Sequence, residues 1–176
     1  MMLDLARPDE MQELLALIES AYRGDSARRG WTHEADLLGG QRTDLAGLMA
    51  MHTDPRQHLL VRRSEHGLEA CIAIAEYGED RAYIGMVTVA PSAQAKGLGR
   101  AMLEGAERYA QVQLAATTAE MTVIAQRSEL IAWYERRGYR QTGERRPFPY
   151  EDIRAGLPKR SDLEFIVLEK QLRSPG

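Results

Sequence analysis

The chain has 176 residues, which gives room for one folded domain and is a poor fit to two, so we expect a single domain over 1–176 with its core in about 1–170. Fifteen glycines, seven prolines, 44% apolar residues and 28% charged residues are near the averages for folded domains, which excludes collagen-like, low-complexity and largely disordered proteins. The net charge of −3 excludes a global basic field that would hold nucleic acid or an anionic membrane, so any anion site must be local.

The first quarter of the chain combines strand and helix signals with a long connection. A short strand is predicted over 2–6, and Pro8 then opens a helix that ends near 22–24. The segment 23–44 holds four glycines and mixed charges without a sustained period, which is typical of a long, partly helical connection, and such connections are often functional. Thr43 is the predicted N-cap of a short helix that the Asp54-Pro55 pair ends.

The rest of the chain predicts a meander followed by alternating helices and strands. Three apolar runs joined by short turns, at 58–63, 68–77 and 81–90, indicate antiparallel strands. The elements predicted after them are a helix over 100–114, a strand over 120–125, a helix over 129–137 that Gly138 ends, a strand over 139–145 and a final strand over 163–170.

The most informative segment is the glycine-rich turn between the third run and the next helix. Gly97 and Gly99 let backbone approach a ligand without a Cβ in the way, and the helix N-terminus adds partial positive charge. A phosphate or pyrophosphate is the natural ligand of such a turn. An ordinary tight strand-to-helix turn is the alternative that the glycines alone leave open.

Two familiar nucleotide motifs do not fit this turn. A P-loop ends in Gly-Lys-Ser/Thr, whereas Lys96 here precedes Gly97 and no Ser or Thr follows. The dinucleotide fingerprint needs a third glycine and a parallel βαβ unit, but that glycine is missing and the preceding meander is antiparallel. The sequence therefore disfavours an NTP-binding regulator and a dinucleotide-binding domain.

The turn resembles the acetyl-CoA loop of the GNAT superfamily of N-acetyltransferases, whose pattern is Arg/Gln-x-x-Gly-x-Gly/Ala. The six residues 94–99, QAKGLG, match it at every specified position. The resemblance extends over at least 82–139, to the later helix with Tyr134 before Gly138-Tyr139. It implies an α/β (α+β) fold with a central, mostly antiparallel, seven-strand sheet flanked by helices.

The resemblance also implies where acetyl-CoA binds. Its pyrophosphate would be held by the backbone of Gln94, Ala95, Lys96, Gly97, Leu98, Gly99 and Arg100. The strand end Val87, Thr88 and Val89 would pair with the pantetheine arm like an added strand. The thioester would lie in a gap where the strand 82–89 parts from the strand 120–125. The Lys96 side chain either neutralises phosphate or is solvated.

Acetyl transfer needs a neutral amine and an acid for the leaving thiolate. A primary amine with a pKa near ~10 is mostly protonated at neutral pH, so a carboxylate should accept its proton directly or through water. Glu76 and Glu34 are the candidates, and an ordinary surface carboxylate is the alternative for each. Tyr134 occupies the position of the tyrosine proposed as the acid in many GNAT enzymes, with a packing role as its alternative. Arg127 stands where the family often has Asn, so contacts near the pantetheine would differ.

The acceptor site is expected in the long connection after the first helix, which lines the acceptor pocket in this superfamily. Arginines there would clamp a carboxylate of a zwitterionic or acidic small molecule, with Glu34 near its amine. The candidate binding residues are Arg28, Arg29, Trp31, Thr32 and Arg42. A solvated cap over the sheet is the alternative. The late loop, with Phe148 and Tyr150, is the expected opposite wall.

These observations predict an acetyl-CoA-dependent N-acetyltransferase that acetylates a primary amine, of a small molecule, by direct transfer in a ternary complex. The alternative within the class is a protein N-terminal or lysine acetyltransferase. The alternative outside it is a non-catalytic acyl-CoA sensor or partner-binding module. No metal, nucleic acid or membrane partner is implied, and a homodimer is left open.

A cytoplasmic location is expected from the cysteine count and the N-terminus. The single cysteine, Cys71, excludes an internal disulfide and lies in an apolar run, where a buried inert thiol is expected. The N-terminus lacks the pattern of a signal peptide, and no stretch approaches the ~20 apolar residues that cross a bilayer.

Overall fold

A computed structural model of the chain describes residues 3–22, 38–39, 43–147, 157–158 and 163–172. The helices are α1 (Met11–Tyr22), α2 (Leu45–Thr53), α3 (Leu98–Leu114) and α4 (Ser128–Glu135). The strands are β1 (Asp4–Leu5), β2 (Leu38–Gly39), β3 (Gln57–Ser64), β4 (Gly67–Tyr77), β5 (Arg81–Val89), β6 (Thr118–Ile124), β7 (Arg140–Pro147), β8 (Leu157–Pro158) and β9 (Glu164–Gln171). Short 3-10 turns span Pro8–Glu10 and Pro91–Lys96.

Seven of these strands form one sheet in the order β1-β3-β4-β5-β6-β9-β7. The neighbours pair antiparallel except β5 and β6, which are parallel. The predicted mostly antiparallel seven-strand sheet is confirmed, and so is the meander of β3, β4 and β5. The pair β2 and β8 forms a separate two-stranded sheet that was not predicted.

Helices cover both faces of the sheet, because successive residues of a strand point to opposite sides. One apolar cluster joins α3 and α4 to Leu60, Ile72 and Ile84. The other joins α1 and α2 to Leu59 and Cys71 on the opposite face. We call these the α3 face and the α1 face. None of the helices in the described ranges combines the length and apolar character that crossing a bilayer requires.

Several predicted boundaries were wrong, and three of them have a local explanation. The N-cap of α2 is Asp44 rather than Thr43, since the Asp44 carboxylate accepts a 2.7 Å hydrogen bond from the Gly47 N–H. Helix α3 begins at Leu98, two residues before the predicted start, because the 3-10 turn ends directly at Gly97. Strand β1 has only two residues, because only Asp4 and Leu5 pair with β3.

Arg63 ties the first strand and the start of α1 to β3. Its guanidinium donates to both carboxylate oxygens of Glu10, at 2.7 and 2.6 Å. It also donates to the Asp4 carboxylate and to the Leu5 carbonyl, at 3.0 and 3.1 Å. Glu10 is buried, and the hydrogen bonds from Arg63 lower its pKa from 4.5 to about 2. The N-terminal edge of the sheet therefore depends on a charged pair.

Candidate functional site

Strands β5 and β6 run side by side for only a short distance. Their pairing consists of Arg81 with Thr118, Ala82 with Ala119, and Tyr83 with Glu120. The ladder between β5 and β6 ends at the Tyr83–Glu120 pair, whereas β6 stays paired with β9 through Ile124. The two strands therefore part like a V. We call the gap between 84–89 and 121–124 the cleft, and the Tyr83–Glu120 pair marks its closed end.

A β-bulge lies in the part of β5 that borders the cleft. The register against β4 shifts between Cys71 and Ala73, because β5 carries one extra residue there. Met86 adopts a positive φ of 50°, which is uncommon outside glycine, and its carbonyl accepts a 2.8 Å hydrogen bond from the Thr88 hydroxyl. Bulges bend a strand and increase its twist, and they are frequent beside active sites.

The residues predicted to pair with the pantetheine arm follow this bulge. Val87, Thr88 and Val89 are buried, with 4%, 0% and 0% of their surface exposed. The Val87 and Val89 side chains belong to the apolar cluster of the α3 face. These side chains anchor β5 in the core, so β5 presents backbone groups rather than side chains to the cleft. Pairing with an added strand requires such an edge.

The glycine-rich turn has the local geometry of an anion site. Gly97 has a φ of +73°, which favours glycine, and a Cβ built there would meet no atom within 4 Å. Helix α3 starts at the next residue, so its first N–H groups have no acceptor within the helix and carry its partial positive charge. Leu98 is buried and anchors this turn, whereas Arg100 is exposed and pairs with Glu104 at 2.9 Å. The side chains of Gln94, Ala95 and Lys96 lie outside what the structure describes.

Tyr134 lies on the same face of the sheet as this turn. Helix α4 starts four residues after β6 ends, and the next strand, β7, begins opposite Glu169, which itself pairs with Glu120 near the start of β6. Helix α4 must therefore run back over the sheet. Tyr134 is 5% exposed, and its side chain shares an apolar cluster with Val87 and Leu98. Tyr134 and the turn thus lie on the α3 face.

A buried polar contact that sequence reasoning missed fixes the surroundings of Tyr134. The Tyr139 hydroxyl donates a 2.8 Å hydrogen bond to Glu107 of α3, and the Lys170 ammonium donates to the other oxygen of that carboxylate at 2.9 Å. The Tyr139 ring meets the Tyr134 ring at 5.9 Å in a T-shaped arrangement. A buried polar group needs a hydrogen-bond partner. The signal available in the sequence for this contact was Glu107, a glutamate on the apolar side of α3.

Basic side chains gather beside the N-terminal half of α3. A groove of about 600 Å³ runs between α3, the end of α4 and the end of β9. Arg100, Arg136 and Arg137 line it, and burial together with the two neighbouring arginines lowers the pKa of Arg137. The Arg137 guanidinium lies 4.2 Å from the Trp133 ring centroid. Glu104 and Glu107 line the same groove, so it offers cationic groups beside acidic ones.

Glu76, a predicted general base, lies on β4 beside the closed end of the cleft. It pairs with Ala82, where β5 and β6 are still joined. Its carboxylate contacts His58 Nε2 at 3.1 Å, and the other ring nitrogen of His58 contacts the Tyr109 hydroxyl at 3.1 Å. The Glu76 carboxylate and the Tyr109 hydroxyl thus contact the two ring nitrogens of His58 from opposite sides. Burial and the Glu76 charge raise the pKa of Tyr109.

The other predicted acceptor-side residues lie outside the described residues. They are Glu34, Arg28, Arg29, Trp31, Thr32 and Arg42, together with Phe148 and Tyr150 of the late loop. Cys71 is fully buried as predicted, and this burial raises the pKa of its thiol to about 12. A thiol with so high a pKa is not a nucleophile at neutral pH.

Polar residues at the closed end of the cleft were not predicted. On the α1 face, the Tyr83 hydroxyl and the Thr122 hydroxyl are 2.5 Å apart. Glu120, 5% exposed, lies 3.6 Å from Arg81 and 3.4 Å from Arg146. Alternation along β6 could have placed Glu120 and Thr122 on one face, but the parallel register with β5 has no local signal in a single sequence.

The chain resembles known proteins in its sequence family and in its fold. A family model described as an acetyltransferase (GNAT) domain matches residues 41–149. None of the curated proteins matches the sequence.

Solved structures are similar over nearly the whole chain. The ribosomal-protein-S18-alanine N-acetyltransferase from Escherichia coli has a TM-score of 0.71 at 16% identity, covering 99% of this chain and 95% of that one. The ribosomal-protein-alanine N-acetyltransferase from Brucella melitensis has a TM-score of 0.69 at 16% identity, covering 98% and 100%. A mutant of the spermidine N-acetyltransferase from Vibrio cholerae has a TM-score of 0.67 at 13% identity, covering 98% and 95%. At such identities the likeness shows the fold alone.

Proposed function

The chain belongs to the GNAT acetyltransferase family and is an acyl-CoA-dependent N-acetyltransferase, and on this premise we propose that it moves an acetyl group from acetyl-CoA to a primary amine of a small molecule. The transfer is direct, within a ternary complex of enzyme, donor and acceptor. The observation that carries the proposal is the parting of β5 from β6 beside a glycine turn that opens a helix. We further propose one domain over 1–176 and a cytoplasmic location.

Acetyl-CoA fits the residues of the turn and the cleft. A Cβ at Gly97 would point into open space, which leaves room for a pyrophosphate against the first N–H groups of α3. Its diphosphate would be held by the backbone of 94–100, and Arg100, Arg136 and Arg137 supply positive charge nearby. The pantetheine arm would pair with Val87, Thr88 and Val89 as an added strand. When bound, acetyl-CoA supplies a thioester, an acyl group activated for attack by a neutral amine.

Two side-chain roles complete the transfer. Tyr134 holds a phenol proton for the departing thiolate, and its buried position on the face shared with the turn supports this role. A carboxylate accepts the proton of the ammonium group, directly or through water. Glu76 and Glu34 are the two candidates. The contact with His58 orients Glu76 but leaves its side chain 36% exposed, so the carboxylate can still reach water.

The arginines of the 23–44 segment support a small acceptor that carries a carboxylate. Arg28, Arg29 and Arg42 would clamp that group, and Trp31 and Thr32 would contact the rest of the molecule. The solved structures described above include enzymes named for spermidine, a small polyamine, and for the alanine of a ribosomal protein. A protein N-terminal or lysine amine is therefore the alternative within the class.

A panel of amines tests the proposal through release of free CoA thiol. The panel contains a free amino acid, spermidine, a peptide with an N-terminal alanine and a peptide with an internal lysine. We expect acetyl-CoA turnover with the free amino acid, which carries the proposed carboxylate, and not with the peptides. Turnover with spermidine, which lacks a carboxylate, would contradict the arginine clamp. Turnover with a peptide alone would favour protein acetylation. Tight acetyl-CoA binding without thiol release for any amine would favour the non-catalytic acyl-CoA sensor.

A further inference from the structure

The closed end of the cleft carries a hydroxyl pair that no step of the transfer uses. Tyr83 belongs to the last pair that joins β5 to β6, and its partner there is Glu120. Its phenol nevertheless contacts Thr122, which lies two residues further along β6, with 2.5 Å between the two oxygens. The Tyr83 side chain therefore reaches across the gap at the point where the strands begin to part.

Gly85 shows where the Tyr83 ring lies. A Cβ built on Gly85 would meet Tyr83 Cε1 at 3.3 Å, so the ring occupies the space that a side chain at 85 would take. Gly85 is on the same face as Tyr83 and is the next residue on that face of β5. The ring thus covers the start of the cleft, just beyond the last β5–β6 pair, from the α1 face.

Ion pairs hold this closed end in place. Arg81 of β5 lies 3.6 Å from Glu120 of β6 and 3.4 Å from Glu169 of β9. Arg146 of β7 lies 3.4 Å from the same Glu120, whose side chain is 7% exposed. Only Glu120 of these groups is buried, since the Arg81 and Arg146 side chains are 36% and 35% exposed, and leaving that carboxylate unpaired would be costly. The shared partners therefore link four strands at the closed end.

The acyl end of the donor would point toward this pair. Under the proposed function the pyrophosphate lies at the turn after β5, so the pantetheine arm runs back along β5 from Val89 toward Ile84. The bulge absorbs one of those five steps, since the facing stretch of β4 runs from Ala70 to Ile74 in four, so at about 3.3 Å per step the path is roughly 13 Å. The thioester then comes to lie next to Gly85, under the Tyr83 ring.

We propose that Tyr83 and Thr122 form the end wall of the acyl site and restrict the donor to acetyl-CoA over longer acyl-CoA thioesters. The ring supplies the bulk of the wall, and the hydrogen bond to Thr122 holds it across the gap. This inference rests on the proposed function, because it needs the pantetheine arm in the cleft. Tyr83 is a specificity-determining residue in this account, distinct from the proton donor.

Calorimetric titration with CoA, acetyl-CoA and butyryl-CoA tests the wall without knowledge of the acceptor. We expect the wild type to bind acetyl-CoA at least tenfold more tightly than butyryl-CoA, since a pocket resolves one or two methylene groups by roughly 10-fold or more. Tyr83→Ala should reduce this preference about tenfold while CoA affinity stays unchanged. Tyr83→Phe keeps the ring and should keep most of the preference. Tyr77→Ala, at a tyrosine that is 51% exposed at the end of β4, is the matched control and should change nothing.

The remaining outcomes of the titration would overturn either the wall alone or the proposed function together with the wall. Equal binding of acetyl-CoA and butyryl-CoA by the wild type would overturn the wall without any variant. A folded Tyr83→Ala, or Tyr83→Leu if the alanine variant does not fold, that keeps both CoA affinity and the wild-type preference would also overturn it. Failure of the folded wild type to bind CoA and acetyl-CoA at all would instead overturn the proposed function, and the wall with it.

Discussion

Tyr139 and Glu107 join the turn between α4 and β7 to the middle of α3 through a 2.8 Å hydrogen bond between two buried side chains. Burial and the neighbouring Glu107 charge raise the pKa of Tyr139, so its phenol stays protonated and donates to the carboxylate. The same tyrosine ring meets Tyr134 at 5.9 Å. Glu107 therefore fixes Tyr139, and Tyr139 in turn positions the proposed proton donor.

Replacing Tyr139 by Phe should destabilise the fold measurably. The variant removes one of two donors to the buried Glu107 carboxylate, and leaving such a group underpaired costs about 1–3 kcal/mol. Urea unfolding of the wild type and Tyr139→Phe measures the change. Tyr77→Phe, at an exposed tyrosine, should stay within about 0.5 kcal/mol of the wild type. Equal stability of Tyr139→Phe and the wild type would contradict this account of the contact.

Removing the Tyr134 hydroxyl should slow turnover without weakening donor binding. Loss of a positioned proton donor typically costs 10²–10⁴-fold in rate, so we expect kcat of Tyr134→Phe to fall roughly 100-fold. The ring stays, so packing against Tyr139 and affinity for acetyl-CoA should be kept. Thiol release with an accepted amine measures kcat, and calorimetry measures affinity. An unchanged kcat would show that another group, or water, protonates the thiolate.

One of the two candidate bases should control the pH dependence of kcat/KM. Glu76→Gln or Glu34→Gln should lower kcat/KM by about 100-fold at neutral pH, with the loss reduced at higher pH, where the amine itself deprotonates. Glu79→Gln, in the exposed turn between β4 and β5, is the matched control. Full activity in both variants would exclude a carboxylate at either position as the base.

Stability should fall in acid because of Glu10. Its pKa is about 2 in the folded chain against 4.5 for an ordinary glutamate, so the folded state binds its proton less tightly than the unfolded state. The stabilisation is therefore fully present above about pH 4.5 and is lost as the pH falls toward 2. Glu10→Gln should cost about 2 kcal/mol at neutral pH and should lose less stability than the wild type between pH 4.5 and 2. Parallel acid-unfolding curves for the two proteins would contradict the role given to the Arg63–Glu10 pair.

The sequence predicts the parts of this fold that depend on local patterns. Apolar runs and short turns placed β3, β4 and β5, and the glycine motif with Tyr134 placed the turn and α4, because each signal lies within a few residues. The Tyr83–Thr122 contact joins residues 39 positions apart, and its register follows from how β5 and β6 meet in the sheet. The cap of α2 was misplaced by one residue, since Thr43 and Asp44 are both good caps and only the backbone geometry decides between them.

Calorimetric titration with acetyl-CoA of the wild type, Gly97→Glu and Gly78→Glu tests the central claim most directly. The two glycines have similar positive φ values, +73° and +69°, and each faces open space, so both variants carry comparable backbone strain. Only Gly97 lies in the proposed pyrophosphate loop, where a carboxylate would oppose the phosphates. We predict tight binding by the wild type and Gly78→Glu and a loss of roughly 100-fold or more in Gly97→Glu. Equal binding by all three proteins, or no binding by the folded wild type, would contradict the account.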